Sequence, residues 1–497
     1  MTSLTSLPEL VDAGFSGIWI RSFEPEEIET QVRQYATQHM WLVYAWDCVR
    51  GVRGLSAPGF SNREAPTPLK ALSETPWNNR DKADQPILLL LHNLHHYTTN
   101  PIVAQSLQTK ILEARKHHHF IVAVGPLVKL PPELEKIVTV IEHQLPDKEE
   151  LQHIAGGLFG SPDEAQQAGV DTEASQALGL TRLAAENAYT LALARTGKID
   201  RATVNELKAQ TLEQTNALKL HQGAERFDHL GGLDSLKDFC VRAMRQKATR
   251  RAKGVLLLGV PGSGKSAFAK ALGNETNRAT LLFDMNSLMS KFVGESEGNL
   301  KQALEIADAM APCVLFVDEI EKALSGGSAS GAAGDSGVAR RMFGSLLTWL
   351  SDHTSDVFFI GTCNSVQSLP PEFARAGRFD GTFFIDLPTR EEKHAIWKLY
   401  AGSIDPSCRP IDIDWTGAEI KACCETAELL GISIKEAADY IVPIATSARD
   451  QIDSLRDWAS ARCLSATRPG RYSKPSPDQT KGSDTQPARR RAIKTTN

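Results

Sequence analysis

The sequence has no uninterrupted apolar run near the roughly 18 residues that a membrane-spanning helix needs, so no membrane span is expected. Its opening stretch, MTSLTSLPELVDAGF, has no basic segment followed by an apolar one, and it carries Glu9 and Asp12. A secretory or transit leader is therefore not expected there. The net charge is only −5, so bulk charge gives no support to a polyanion-binding role. The eight cysteines show no metal-type pairing. They read as reduced, packed thiols of a cytoplasmic protein, the vicinal pair Cys423-Cys424 included. His-Glu-x-x-His occurs nowhere, which leaves no visible zinc-protease function. What is left is near-average composition in a chain of 497 residues, long enough for two to four domains that each bury a core.

Against those absences stands one signature that occurs twice. LPPELEKIVTVIEHQLPDKEEL starts at Leu130, and LPPEFARAGRFDGTFFIDLPTREEK starts at Leu369. The second is three residues longer between its landmarks.

The C-terminal copy carries chemistry. Residues 255–259 (VLLLG) form a short apolar run ending in glycine, as a buried parallel strand does. Gly259-Val260-Pro261-Gly262-Ser263-Gly264-Lys265-Ser266 follows, and then an amphipathic run, AFAKALGNE. This is a phosphate-binding loop in its required strand–loop–helix setting. The glycines let backbone N–H groups wrap the phosphates, and the helix N-terminus stands behind them. Lys265 is placed to reach the β- and γ-phosphates, and Ser266 to hold Mg²⁺. A second strand, Val314–Val317, ends in Asp318-Glu319. Alone, an acid pair after a strand is an ordinary solvated helix start. Downstream of a phosphate loop, Asp318 reads as a Mg²⁺ ligand through water and Glu319 as the group that polarises the attacking water. A third strand, Val357–Thr362, ends near Asn364, whose amide can orient that water and sense the γ-phosphate.

Residues 227–440 therefore resemble an AAA-clade ATPase module of the AAA+ superfamily. The landmarks are FDHLGGLDSLK, GVPGSGKS, KFVGESEGNL, VLFVDEIEKAL, GTCN, RAGRFD and TGAEIK, in the family's order. The resemblance implies ATP and Mg²⁺ as cofactors. It makes Asn364 the first sensor, and Arg375 and Arg378 arginine fingers that reach a neighbouring subunit's ATP. It places Gly231-Gly232 and Gly417-Ala418 beside the adenosine. Fingers supplied in trans imply a homo-oligomer, a hexameric ring being favoured. Phe292-Val293-Gly294 fits the aromatic–apolar–glycine triplet that lines the pore of many AAA motors, although a Phe at a loop start can equally pack locally. SGGSASGAAGDSG (Ser325–Gly337) is too rich in Gly and Ser to hold a fixed fold and looks like a second pore-facing loop. The helices after residue 389 read as a lid extending to 465.

In the N-terminal copy, Phe120 and Phe359 each lie ten residues before their Leu-Pro-Pro-Glu strings, which aligns Asn364 with Gly125. A strand at Leu88–Leu91 ends in His92-Asn93 where the other copy has its acid pair. The earlier strand, Trp41–Trp46, is followed by DCVRGVRG with no Gly-Lys-Ser. The three missing residues lie where the other copy has Arg375 to Arg378. Residues 1–200 thus read as a degenerate AAA-like domain that keeps the sheet and lacks every phosphate-handling group. The two-part layout resembles the divergent AAA proteins first named as a conserved hypothetical reading frame in chloroplast genomes and also seen in cyanobacteria.

The expected fold is α/β: a degenerate AAA-like domain (1–200), a helical linker (201–226), a P-loop AAA+ large subdomain with a parallel sheet (227–388), a helical lid (389–465) and a disordered basic tail (466–497) carrying Arg489-Arg490-Arg491. Two histidine groups, His92/His95/His96 and His117/His118/His119, fall at opposite edges of one sheet, about 20 Å apart, and so read as loop residues and not a metal site. The basic segment Val241–Lys253 reads as a solvated helix face. The function expected is ATP hydrolysis driving the remodelling of a protein client recruited by the N-terminal domain. An ATP-switched regulatory or scaffold protein that threads nothing is the rival reading. A nucleic-acid motor using the basic tail is the weaker one.

Overall fold

The computed structural model describes residues 4, 6–77, 85–214, 217–245, 251–285, 296–325, 335–365, 378–401 and 409–475. The chain forms two compact units, Met1–Lys208 and Ala209–Asn497, and their boundary falls inside the helix Arg201–Gln214.

Unit one is built on β1 (Gly17–Arg21), β2 (Leu42–Asp47), β3 (Gly51–Ser56), β4 (Ile87–His92), β5 (Phe120–Gly125) and β6 (Thr139–Glu142). Their order across the sheet is β3-β2-β4-β5-β1-β6, and only β2/β3 pair antiparallel. Strand β4, ILLLLH, is buried along its whole length, as a parallel strand covered on both faces must be. Leu89 and Leu91 join Trp19 and Trp46 on one face. Leu88 and Leu90 join Ile18, Ile20 and Phe120 on the other. A separate helical core follows, centred on Leu151, Ala155, Ala185, Tyr189 and Val204.

Unit two contains β7 (Leu218–Leu220), β8 (Gly254–Gly259), β9 (Ala279–Phe283), β10 (Cys313–Val317), β11 (Val357–Cys363), β12 (Gly381–Ile385) and β13 (Leu464–Ser465). Their order is β13-β12-β8-β11-β10-β9-β7. The run β6-β1-β5-β4-β2 of unit one repeats β12-β8-β11-β10-β9 strand for strand. The doubled signature is therefore a doubled fold. This pairing corrects one alignment: the counterpart of the phosphate strand β8 is β1, not the strand at 41–46. That earlier stretch corresponds to β9.

Two boundaries also differ from expectation. The linker is not one polar helix. Val204 and Leu212 of the helix Arg201–Gln214 are buried, and β7 then pairs with β9. Asn274 Nδ2 donates to the carbonyls of Gly223 and Glu225, both at 2.8 Å, and so fastens the chain beyond β7 to unit two. The lid and tail boundaries shift for a similar reason. The lid core of Trp397, Trp415, Ile420 and Cys423 is local, whereas Leu455 and Ala459 pack with Leu258 and Phe384 of the sheet. The first residues assigned to the tail are ordered by packing: Ala466 is buried, and Tyr472 packs at a tilt against Phe384 with ring centroids 4.5 Å apart while its hydroxyl donates to Asp386 at 2.6 Å. A single aromatic and a two-residue strand leave too short a pattern to stand out from a Pro/Ser-rich stretch. Residues 476–497, including Arg489–Arg491, lie outside the described residues.

No helix among the described residues is long and apolar enough to cross a membrane. The histidines occupy separate places. His92 Nε2 lies 2.8 Å from Glu29 Oε1 at the C-terminal end of β4, while His119 bridges Ile87 N and Trp77 O at the opposite edge.

Candidate functional site

Strand β8 delivers the chain to the C-terminal edge of the sheet, where Gly262 (φ +79°) and Gly264 (φ +92°) turn it in the left-handed region into the helix Lys265–Glu275. The turn leaves the helix N-terminus facing a cleft of about 400 Å³. Its walls include Pro261, Gly262, Ser263, Gly264, Lys265 and Ser266. Lys265 is buried, and its Nζ donates to the carbonyls of Gly259 (3.0 Å) and Val260 (2.8 Å). Burial pulls the ammonium down to about 8, against the opposing pull of Asp318 and its neighbours. A desolvated cation held only by loop carbonyls is poised for an anion. Val260 itself packs inward with Ala445 and Ile452, so it supports the loop and does not line the cleft. Gly259 is the strand end beneath it; a Cβ there would meet the Ile385 carbonyl at 2.2 Å.

The acid pair arrives on the neighbouring strand but one. Asp318 Oδ2 accepts from Ser266 Oγ at 2.9 Å, so the two residues assigned to Mg²⁺ already meet. Glu319 adopts φ +49°, which turns its side chain back toward the edge of the sheet. Its Oε1 accepts from Asn364 Nδ2 at 3.2 Å, and its other oxygen pairs with Lys322. Asn364 Oδ1 is buried with no hydrogen-bond partner among the described residues. Lys265, Ser266, Asp318, Glu319 and Asn364 all line this one cleft.

The far wall is supplied by the lid and by the segment before β8. Gly231, Gly417 and Ala418 line the cleft with Leu230, Ile396 and Leu399, an apolar slot with free backbone edges that suits a flat heterocycle. Ala418 N donates to Gly262 O at 3.2 Å, which joins lid to loop. Gly232 is not among the residues lining the cleft: it has φ +81°, and a Cβ there would meet Glu392 at 2.4 Å. Arg378 is half-buried and is not among the residues lining its own chain's cleft. Arg375, the triplet Phe292-Val293-Gly294 and most of the Gly/Ser-rich loop (326–334) lie outside the described residues.

Two residues of this edge carry no role in the motif reading: Thr362 and Glu321. Both are buried and both touch the acid pair or the sensor. Their strings, GTCN and DEIEK, were visible, but a threonine inside a strand and a third acid on a helix have no signature of their own.

The same edge of unit one is filled by protein. Strand β1 is followed by Ser22-Phe23-Glu24 and then the helix Pro25–His39, with no glycine and no lysine in the turn. Asn93 repeats the left-handed backbone of Glu319, at φ +53°, so the strand–turn geometry is kept while the carboxylate is gone. Thr181 and Thr416 each cap a helix, and each is followed by the residue facing the cleft: Arg182 in unit one and Gly417 in unit two. Arg182 donates through Nε and Nη2 to Glu150 (2.6 and 2.9 Å) and through Nη1 to Glu24 (3.0 Å) and Gln144 O (3.2 Å). Its backbone N–H donates to Glu24 as well, at 2.7 Å. Arg182, held between Glu24 and Glu150, thus stands at the helix start where unit two has Gly417. Truncating one member of a buried network strands the others, at a cost of about 3–5 kcal/mol. Arg182→Ala is expected to lower the melting temperature of unit one by roughly 10 °C, at about 2–4 °C per kcal/mol for a unit of this size. Calorimetry of the full chain reads this, and an unchanged endotherm would show that the network contributes nothing.

Comparison with known proteins agrees with this layout. The model of the ATPase family associated with various cellular activities (AAA) matches residues 255–387. Models of the SpoVK-like AAA ATPase N-terminal domain and second domain match residues 3–143 and 133–215. The AAA domain-containing protein ycf46 of Guillardia theta is 31% identical over 486 residues, covering 91% of this chain and 94% of its own. The ycf46 protein of Pyropia yezoensis is 31% identical over 452 residues, covering 84% and 89%. The cell division cycle protein 48 homolog of Archaeoglobus fulgidus matches more narrowly, 31% over 227 residues, or 42% of this chain and 30% of that one. The family models split unit one near residue 140, where the β-sheet ends and the helical core begins. With a phosphate loop, an acid pair and a sensor amide on one sheet edge, and a likeness that runs almost end to end, this chain belongs to the AAA ATPase family, in the branch represented by the ycf46 proteins.

Proposed function

We propose that unit two binds Mg²⁺-ATP in the cleft at Gly259–Ser266 and hydrolyses it, in an oligomer that remodels a protein client. One observation carries the hydrolysis: Lys265, Ser266, Asp318, Glu319 and Asn364, from three separate strand ends, line a single cleft. In this reading Lys265 Nζ exchanges the two loop carbonyls for phosphate oxygens. Ser266 and Asp318 hold the metal, which when bound offsets phosphate charge. Glu319 accepts the proton of the attacking water, and Asn364 keeps that water in line. The adenine lies against Leu230, Ile396 and Leu399, with its polar edge toward the backbone of Gly231 and Gly417. A coupled assay of phosphate release tests the reading. Turnover that requires Mg²⁺ and is lost with Lys265→Ala supports it, and turnover indifferent to Lys265 overturns it.

Unit one does not take part in the chemistry in this proposal. Its turn after β1 carries no Gly-Lys-Ser, and Arg182 is engaged by Glu24 and Glu150. Its remaining role is recruitment of the client. The full chain is expected to bind one nucleotide and not two.

Phe292 separates a motor from a switch. If it grips a client, Phe292→Ala leaves melting and basal hydrolysis near wild type and abolishes client-stimulated turnover. If the protein only toggles a binding surface, the same substitution leaves client binding and output intact. If Phe292 packs in a core, the loss of about 3–5 kcal/mol shows first as a lowered melting temperature. A variant that melts normally and still drives its client rules out threading.

A further inference from the structure

The acid pair and the sensor come from different strands, β10 and β11, and hydrolysis requires them at fixed separations. Besides the Asn364–Glu319 contact, three hydrogen bonds made by Thr362 and Glu321 link the two chain segments at the cleft. Thr362 Oγ1 donates to Asp318 Oδ1 at 2.5 Å. The same oxygen accepts from the backbone N–H of Glu319 at 2.8 Å. One turn later, Glu321 Oε1 accepts from the backbone N–H of Asn364 at 2.8 Å. Thr362 is fully buried and Glu321 nearly so. Neither lines the cleft.

Each bond fixes a group that the chemistry needs. The Thr362 hydroxyl orients the Asp318 carboxylate so that its second oxygen is left for Ser266, 2.9 Å away. By accepting from Glu319 N–H, it also holds the left-handed backbone of Glu319, a conformation that a non-glycine residue adopts only when its surroundings impose it. Glu321 places the sensor: the sheet ladder ends at Cys363, so the amide of Asn364 is anchored by a side chain and not by a neighbouring strand. Unit one shows the same frame with the clasp removed. Counting from the left-handed residue, His95 stands where Glu321 stands. His95 Nδ1 lies 3.0 Å from where a Cβ on Gly125, at the end of β5, would be, so a ring stands beside that strand end in place of the carboxylate.

We infer that Thr362 and Glu321 are positioning residues that clasp the acid pair to the sensor and set the geometry of hydrolysis without touching the nucleotide. The inference rests on the ATPase reading above. A misplacement of about 1 Å at a reacting group costs on the order of 10²-fold in rate. Since the clasp acts after the nucleotide is bound, its loss is expected to fall on kcat and to spare KM.

The test uses the full chain with Thr362→Val and Glu321→Leu, which remove the clasp, and Thr362→Ser and Glu321→Gln, which keep one donor or acceptor at the same place. Thr362→Ala serves if the valine variant misfolds, and melting curves monitor every variant. The clasp predicts that the valine and leucine variants lose about 10- to 100-fold in kcat, with KM for ATP and the affinity for a fluorescent ATP analogue within about threefold of wild type. The serine and glutamine variants are expected to regain most of that loss. If the wild type hydrolyses ATP in a Lys265-dependent way and the valine and leucine variants match it, the clasp is wrong and the ATPase reading stands. The clasp is equally wrong if the loss appears in KM, or if the serine and glutamine variants fall equally far. A wild type without Lys265-dependent turnover overturns both.

Discussion

Alanine at Arg375 or Arg378 is expected to reduce ATP turnover by about 10³–10⁵-fold while leaving nucleotide affinity nearly unchanged. The size of the effect follows from where charge develops. A guanidinium aimed at the transferring phosphoryl group acts in the transition state, where the negative charge is most in need of a partner, and contributes little to the ground-state complex. Arg378 does not line the cleft of its own chain, so on this reading it serves a second copy. Complementation in a mixture distinguishes that role from a structural one. An Arg378→Ala chain keeps a complete Lys265 site but offers no finger. A Lys265→Ala chain offers a finger but has no site. Mixing the two inactive proteins is expected to restore turnover, to a level set by how often an intact site meets an intact finger. Restoration that disappears on dilution would place the site between copies. A mixture as inactive as its components, together with a monomer in sedimentation, would rule out action in trans.

Glu319→Gln is expected to slow hydrolysis by about 10²–10⁴-fold and to trap ATP, whereas Lys265→Ala is expected to abolish binding altogether. The two acids of the pair differ in surroundings, and so do the consequences of altering them. The Glu319 carboxylate meets Asn364 through one oxygen and Lys322 through the other. Its amide analogue fits the same space and can still accept from Asn364, but it cannot take a proton from water. Lys265 is different, because its desolvated ammonium is the group toward which the whole loop is folded. Removing it leaves the phosphates with N–H dipoles alone. Calorimetric titration of the full chain reads both: one nucleotide per chain for wild type and Glu319→Gln, none for Lys265→Ala. A residual site in the Lys265→Ala protein would mean that unit one binds nucleotide after all. The trapped complex is also the natural bait for the client, since it holds the nucleotide state in which a client would be engaged.

The legible part of this site was its chemistry in sequence order. Gly259–Ser266 could be read because every residue of a phosphate loop is constrained at once, by backbone conformation, by charge and by the helix behind it. Asp318 and Glu319 were readable because a buried apolar run announced the strand end on which they sit. The doubling was also visible in two proline-bounded strings, and the strand order of the two units bears the doubled fold out. Three things were not readable. Which early strand matches β8 depends on pairing across a sheet, and a run such as Trp41–Trp46 is as apolar as the true counterpart, Gly17–Arg21. The end of the lid depends on whether a helix packs on its own neighbours or returns to the sheet, and the helix Arg449–Ala459 carries the same amphipathic spacing in either case. Thr362 and Glu321 meet partners 44 and 43 positions away in the chain, and the partners of Arg182 lie 32 to 158 positions away.

That separation marks the division of labour. Residue type and local spacing by themselves determined that unit two carries a Gly-Lys-Ser loop after one strand, an acid pair after another and an asparagine after a third, and that the corresponding strings of unit one do not, because such strings are specified by short-range backbone geometry. Tertiary structure alone decided that Ser266 meets Asp318, that Thr362 and Glu321 link the ends of β10 and β11, and that Arg182 is held between Glu24 and Glu150. The physical reason is that hydrogen bonds and ion pairs across strands depend on register and burial, which arise only when the whole sheet has assembled and which no single segment encodes.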